Sequence, residues 1–168
     1  MATDYSLYLV ADADYASGRD LPGLVDAAVA GGVTVVQLRA KNLGGRAFVG
    51  LALEISQRLA GTGVPLLVND RADIALACGA AGVHLGQDDM PVPAARRLLG
   101  PDAAIGVSVN TPEEAVSAER EGADYVGAGP AFATSTKETP RAVLGPAGLA
   151  RIKRAVRIPV VAIGGISA

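Results

Sequence analysis

The chain has no tryptophan, two phenylalanines, four tyrosines, one cysteine and one histidine in 168 residues. Each scarcity excludes something. Aromatics make up 4% and hydrophobic residues 50%, so the core has to be built from Val, Leu, Ile and Ala. That is the usual filling of parallel sheets covered by helices on both faces. A single cysteine, Cys78, excludes an internal disulfide and a cysteine-rich metal site. It falls in a predicted helix and reads as a buried thiol. Net charge is −2, with no basic block, so no nucleic-acid footprint is present. No apolar run approaches the roughly 18 residues of a membrane helix. The N-terminal Met1-Ala2-Thr3-Asp4-Tyr5 is polar and lacks the basic-then-apolar order of a leader. These absences predict a soluble, cytoplasmic, single-domain protein whose partners are neither nucleic acid nor membrane.

What is present is a repeated grammar of strand, polar loop, helix and small-residue turn. Strands are predicted over 6–11, 34–38, 65–68, 82–85, 104–108, 125–128 and 159–163. Asp20 caps a helix closed by Gly31-Gly32, with Pro22 in its first turn. Further helices are predicted over 45–60, 72–78, 91–99 and 146–154. Between the last two, Thr111 opens one with Pro112 at its first position, and Glu114 completes a capping box. Strict alternation of short strands and helices argues for a parallel α/β fold. The turn between Ala11 and Asp20 lacks G-x-G-x-x-G, which removes the main support for a dinucleotide-binding sheet. The expected architecture is therefore a TIM (β/α)8-type barrel over residues 1–168 that ends after strand 7, without an eighth βα unit. Such an end would leave the edges of strands 1 and 7 open, so a shortened chain or a homo-oligomer that covers them is expected.

In such barrels the carboxyl ends of all strands face one side, and chemistry collects there. Several apolar runs here end in polar clusters. Strand 2 runs into Gln37, Arg39 and Lys41, spaced two apart and so expected on one side of the strand. Arg as a bidentate partner and Lys as a point charge suit a diphosphate; a solvated strand end is the alternative. Strand 3 ends in Asn69-Asp70-Arg71, and strand 4 in Gln87-Asp88-Asp89. Carboxylates from neighbouring loops are how proteins usually hold Mg²⁺, with oxygen donors and few protein ligands. Asp70 and Asp88 could equally be helix N-caps. Thr134-Ser135-Thr136-Lys137 lies in a long loop, about 130–145, that reads as an anion-binding lid or as a linker. Gly164-Gly165 after strand 7 allows close backbone approach to a ligand, or is turn geometry alone. His84, within Gly82-Val83-His84-Leu85-Gly86, reads as a satisfied interior histidine rather than an acid or base. No Ser-His-Asp or Cys-His constellation can be assembled.

Taken together, Gln37-Leu38-Arg39-Ala40-Lys41, Val68-Asn69-Asp70-Arg71, Gly82 to Asp89, Gly106-Val107-Ser108, and Tyr125 to Pro130 leading to Thr134-Ser135-Thr136-Lys137 resemble the thiamine-phosphate synthase family across nearly the whole chain. The resemblance implies a transferase. It would join 4-amino-2-methyl-5-hydroxymethylpyrimidine diphosphate to a thiazole phosphate, giving thiamine phosphate and pyrophosphate. The pyrophosphate would leave first, with Mg²⁺ assisting. Asp70 and Asp89 would hold the metal. Gln37, Arg39, Lys41, Asn69, Ser108 and Lys137 would hold the pyrimidine diphosphate, with Arg39, Ser108 and Lys137 acting in catalysis. Thr134 and Thr136 would contact the thiazole phosphate and Gly165 would offer its amide, with Ser135 counted among the substrate-binding residues. A thiazole tautomerase is a related alternative, but that family's histidine falls at the position of Asn110 here. A non-catalytic phosphate-binding barrel fragment is another, and other phosphate barrels lack the acidic pair together with Gln37, Arg39 and Lys41.

Overall fold

Aliphatic runs become strands buried on both faces. In β2 (Val35–Arg39), β3 (Leu66–Asn69), β4 (Gly82–Leu85) and β6 (Tyr125–Ala128) almost every residue is buried. β1 (Tyr8–Asp12), β5 (Ala104–Val109) and β7 (Val160–Ala162) complete the set. Between them run α1 (Leu21–Ala30), α2 (Gly45–Leu59), α3 (Ala72–Cys78), α4 (Val92–Leu99), α5 (Pro112–Glu121) and α6 (Gly145–Ala155). The computed structural model describes residues 3–134 and 141–166. Among them, seven parallel strands alternate with six helices, the element order of a (β/α)8-type fold through its seventh strand.

The chain divides into two compact units, Met1–His84 with Ala94–Ala104, and Leu85–Pro93 with Ile105–Ala168. In the first, β1 to β4 pair in chain order, with Asp12 opposite Arg39, Leu38 opposite Val68 and Asn69 opposite His84. One step past Leu38 and Val68 come Arg39 and Asn69. A single row across four strands therefore carries Asp12, Arg39, Asn69 and His84. In a parallel ladder, residues in one row share a face. In the second unit, Ser108 lies opposite Gly127, and Gly127 opposite Val161.

The helix starts follow the sequence signals, with two corrections. Asp20 accepts a hydrogen bond from the Gly23 amide at 3.1 Å, and Thr111 Oγ1 accepts one from the Glu114 amide at 3.1 Å. The Glu114 carboxylate does not return to Thr111, as a capping box requires. It accepts from the Asn110 amide at 2.6 Å and also binds Arg141 at 3.0 Å. The second correction concerns Asp70 and Asp88. Arg71, not Asp70, precedes α3 and offers no side-chain cap, and α4 begins at Val92, beyond Asp88.

The core is as aliphatic as the composition requires. Tyr125 and Phe48 are the only aromatic side chains among its largest fully buried members, beside Leu38, Ile55, Leu67 and Leu85. Burying each such side chain contributes roughly 1.5–3 kcal/mol. Glycine decides two close approaches. A Cβ on Gly82 would overlap the Ala104 backbone, and one on Gly106 would overlap the Tyr125 ring. Cys78 is buried as expected, and burial pushes its thiol pKa up.

Candidate active site

The basic cluster after strand 2 splits between strand and loop. Gln37 and Arg39 lie on β2, which ends at Arg39, so Lys41 stands in the following turn rather than in the strand's alternation. Gln37 is 5% exposed, and its Nε2 donates to the Tyr8 hydroxyl at 2.7 Å. The Arg39 guanidinium pairs with the Asp12 carboxylate on the neighbouring strand. Lys41 Nζ is 2.9 Å from Asp70 Oδ2, and the Lys41 amide donates to Asp14 Oδ2 at 2.8 Å. The residue order predicts a cation set and a separate carboxylate; the fold pairs Lys41 with Asp70. It also brings in Tyr8, Asp12 and Asp14, which no cluster in the residue order includes. One signal was available: Asp12 ends the apolar run Leu7 to Ala11, just as the other clusters end theirs.

Asp70 is the sole described non-glycine residue with positive φ, at 63°. Its amide donates to the His84 carbonyl at 2.8 Å, while the Arg71 amide donates to the Asn69 carbonyl at 2.7 Å. This tight reversal at the end of β3 turns the Asp70 side chain toward Lys41 instead of onto the helix start. Left-handed backbone in a non-glycine residue costs of order 1 kcal/mol and is held by its surroundings. Arg71 does not join Asn69 and Asp70: it forms a two-point pair with Asp73, Nε to Oδ1 at 2.8 Å and Nη2 to Oδ2 at 2.5 Å. That pair raises the Arg71 pKa and holds the Asp73 carboxyl below its ordinary value.

His84 is 7% exposed, and among the described residues no buried side-chain nitrogen or oxygen lacks a partner. The interior reading of this histidine stands.

In the second unit, Asp89 folds back on its own loop, with Oδ2 accepting from the Gly86 amide at 2.6 Å. Gln87 Nε2 donates to the Ser108 carbonyl at 2.7 Å, tying the loop after β4 to β5. Asn110 Nδ2 donates to the carbonyls of Gly129 and Ala142, each at 2.9 Å. This side chain braces both sides of the segment between β6 and α6. Gly165 has φ 65°, and a Cβ there would stand 2.9 Å from the Phe132 carbonyl carbon. Its lack of a side chain thus admits the chain after β6. Ser135, Thr136 and Lys137 lie outside the described residues; Thr134 lies within them.

Among the described residues no three His, Cys, Asp or Glu side chains cluster as a ready-made metal cage. Mg²⁺ does not need one, since it is usually held by one or two carboxylates, with waters and substrate phosphates completing its shell. Asp70, directly after β3, and Asp89, in the loop after β4, each offer the hard carboxylate oxygens that such chemistry uses.

Parallel strands alternating with helices, with charged side chains at the strands' carboxyl ends, define the class: an α/β protein of the βα-barrel type. Comparison with known proteins sharpens this. The family model described as thiamine monophosphate synthase matches residues 7–168. The thiamine-phosphate synthase of Syntrophomonas wolfei is 52% identical over 165 residues, covering 98% of this chain and 79% of that protein. That of Caldanaerobacter subterraneus is 50% identical over 164 residues, covering 98% and 76%. The solved thiamine phosphate pyrophosphorylase from Pyrococcus furiosus superposes with a TM-score of 0.86 at 38% identity, covering 99% of this chain and 78% of that one. The chain belongs to the thiamine monophosphate synthase family. It is an enzyme, a transferase of thiamine biosynthesis with the βα-barrel type of fold. Among the described residues no helix is long and apolar enough to cross a membrane.

Proposed function

We propose that the chain condenses 4-amino-2-methyl-5-hydroxymethylpyrimidine diphosphate with a thiazole phosphate, releasing pyrophosphate and forming thiamine phosphate. The observation that carries this reading is the family match over residues 7–168. The cation cluster at the end of β2 supports it, because departure of pyrophosphate calls for positive charge more than for a strong base. Arg39 and Lys41 bind the diphosphate, and Gln37 and Asn69 orient it with amide groups. Ser108 and Lys137 complete the pyrimidine diphosphate site, and Lys137 adds charge to the departing group. Thr134, Ser135, Thr136 and the Gly165 amide receive the thiazole phosphate. Mg²⁺, held by Asp70 and Asp89, would add Lewis-acid stabilisation of the diphosphate oxygens. We place the enzyme in the cytoplasm, acting on small phosphorylated molecules.

The tautomerase alternative is not favoured. Asn110 occupies the position of that family's histidine, and its amide is engaged with two backbone carbonyls.

The test is direct. The purified chain is mixed with both substrates and Mg²⁺, with and without a chelator. Thiamine phosphate and pyrophosphate formed in equal amounts, and abolished by the chelator, are expected. A folded chain that yields neither product overturns the reading; turnover that survives complete chelation overturns the metal assignment alone.

A further inference from the structure

Each member of the Gln37, Arg39 and Lys41 set is held by a partner from β1 or the turn that follows it. Tyr8 accepts from Gln37 Nε2, Asp12 pairs with the Arg39 guanidinium, and Asp14 accepts from the amides of Lys41 at 2.8 Å and Asn42 at 3.3 Å. The Ala13 amide donates to the Arg39 carbonyl at 2.8 Å, closing the same seam through the backbone. Asp12 is itself fixed from both sides. Its Oδ1 accepts from the amides of Asp14 and Tyr15 at 3.0 and 3.2 Å, while Oδ2 takes Arg39. The Asp12 and Arg39 side chains are only 13% and 21% exposed.

We infer that Asp12 is the positioning residue for Arg39, and that β1 is the strand that orients the diphosphate-binding set. The inference rests on the functional reading above. An arginine has five N–H donors in a rigid plane. Asp12 engages one end of that plane and leaves the remaining donors for an anion. A carboxylate beside a cation also lowers its net attraction for a diphosphate. What Asp12 contributes is therefore orientation, not charge. An unanchored arginine would lose rotamer freedom on binding, and a pre-aimed one loses less. Tyr8 does the same for Gln37, whose amide has two ends that could otherwise exchange. The Tyr5 ring stacks on the Tyr8 ring at a centroid distance of 6.5 Å, which fixes the hydroxyl's direction.

The experiment uses the whole chain and two substitutions. Asp12→Asn keeps an oxygen for the turn amides but removes the ion pair. It is expected to raise the KM for the pyrimidine diphosphate about tenfold, the scale of one charge-assisted contact, while the KM for the thiazole phosphate stays constant. Affinity for inorganic pyrophosphate, measured by calorimetry, should fall in parallel. A merely structural role would move both KM values together, or neither, and would show as a lowered melting temperature. Should Asp12→Asn fail to fold, Tyr8→Phe keeps the ring, removes the hydroxyl and predicts the same one-substrate selectivity. Unchanged kinetics in a folded variant, or equal effects on both substrates, overturn the inference. Wild-type protein without synthase activity overturns the functional reading instead, so the two failures are distinguishable.

Discussion

Lys41 Nζ lies 2.9 Å from Asp70 Oδ2, so the side chain proposed for the diphosphate and the one proposed for the metal are paired with each other. Lys41 is half exposed, so the pair itself adds little stability, within about 1 kcal/mol. Its consequence is for binding. On the proposed roles, a cation at Asp70 would compete with the Lys41 ammonium, and a diphosphate drawing Lys41 away would free the carboxylate. Lys41→Met should therefore raise the affinity of the substrate-free protein for Mg²⁺ several-fold, as measured by calorimetry. The same variant should lose about a hundredfold in kcat/KM through the missing contact to the leaving group. Weaker Mg²⁺ binding in the variant would break the proposed exchange.

Asp70 combines a left-handed backbone with a carboxylate, and the two roles can be separated. Asp70→Gly removes the side chain while suiting a φ of 63°, so thermal stability should stay within a few degrees of wild type. Activity should fall by orders of magnitude. Asp70→Ala should lose the same activity and, in addition, keep the backbone strain of about 1 kcal/mol without the ion pair. Equal melting temperatures for the Gly and Ala variants would argue against strain at this residue.

Gly106 is fixed by Tyr125. A Cβ at 106 would overlap the ring of a side chain that is fully buried. Gly106→Ala should cost about 3 kcal/mol in chemical denaturation, the upper range for overpacking. Adding Tyr125→Leu should recover part of that loss, so the double variant should be less destabilised than the sum of the singles. Strict additivity would show that the two positions do not meet.

Cys78 should be inert in the native protein. Burial raises its thiol pKa above the ordinary 9.0, so the folded state disfavours the thiolate. Native protein at pH 8 should react with a thiol-specific disulfide reagent far more slowly than protein in guanidinium. The linkage has a definite sign. Below pH 9.0 both folded and unfolded states keep the thiol neutral. As the pH rises past 9.0 the unfolded state ionises first, and stability falls until the folded thiol also titrates. Wild type should therefore lose more melting temperature than Cys78→Ala between pH 8 and about pH 10. Parallel losses in the two proteins would remove Cys78 from the account.

Much of the molecule was legible in the chain. The ranges of β4, β6 and α3 follow directly from their apolar runs and glycine stops, because both faces of a parallel strand are buried and the boundaries are abrupt. Asp20 and Thr111 announce helix starts through local hydrogen bonds that need no tertiary partner. The clusters at the strand ends, and the family they belong to, are likewise written in residue order.

Which side chains meet is settled by the packed fold. Nothing local distinguishes Asp70 as a helix cap from Asp70 as a partner for Lys41; the left-handed turn at the end of β3 settles it. Glu114 has the spacing of a capping box, but the chain before Thr111 offers the Asn110 amide, and Arg141 arrives from 27 residues away. Asp12 reads as a loop residue until parallel register sets it opposite Arg39. Local signals fix elements because their hydrogen bonds span a few residues. The pairing of charges depends on register and close approach between strands far apart in sequence, and that is determined only when the core closes.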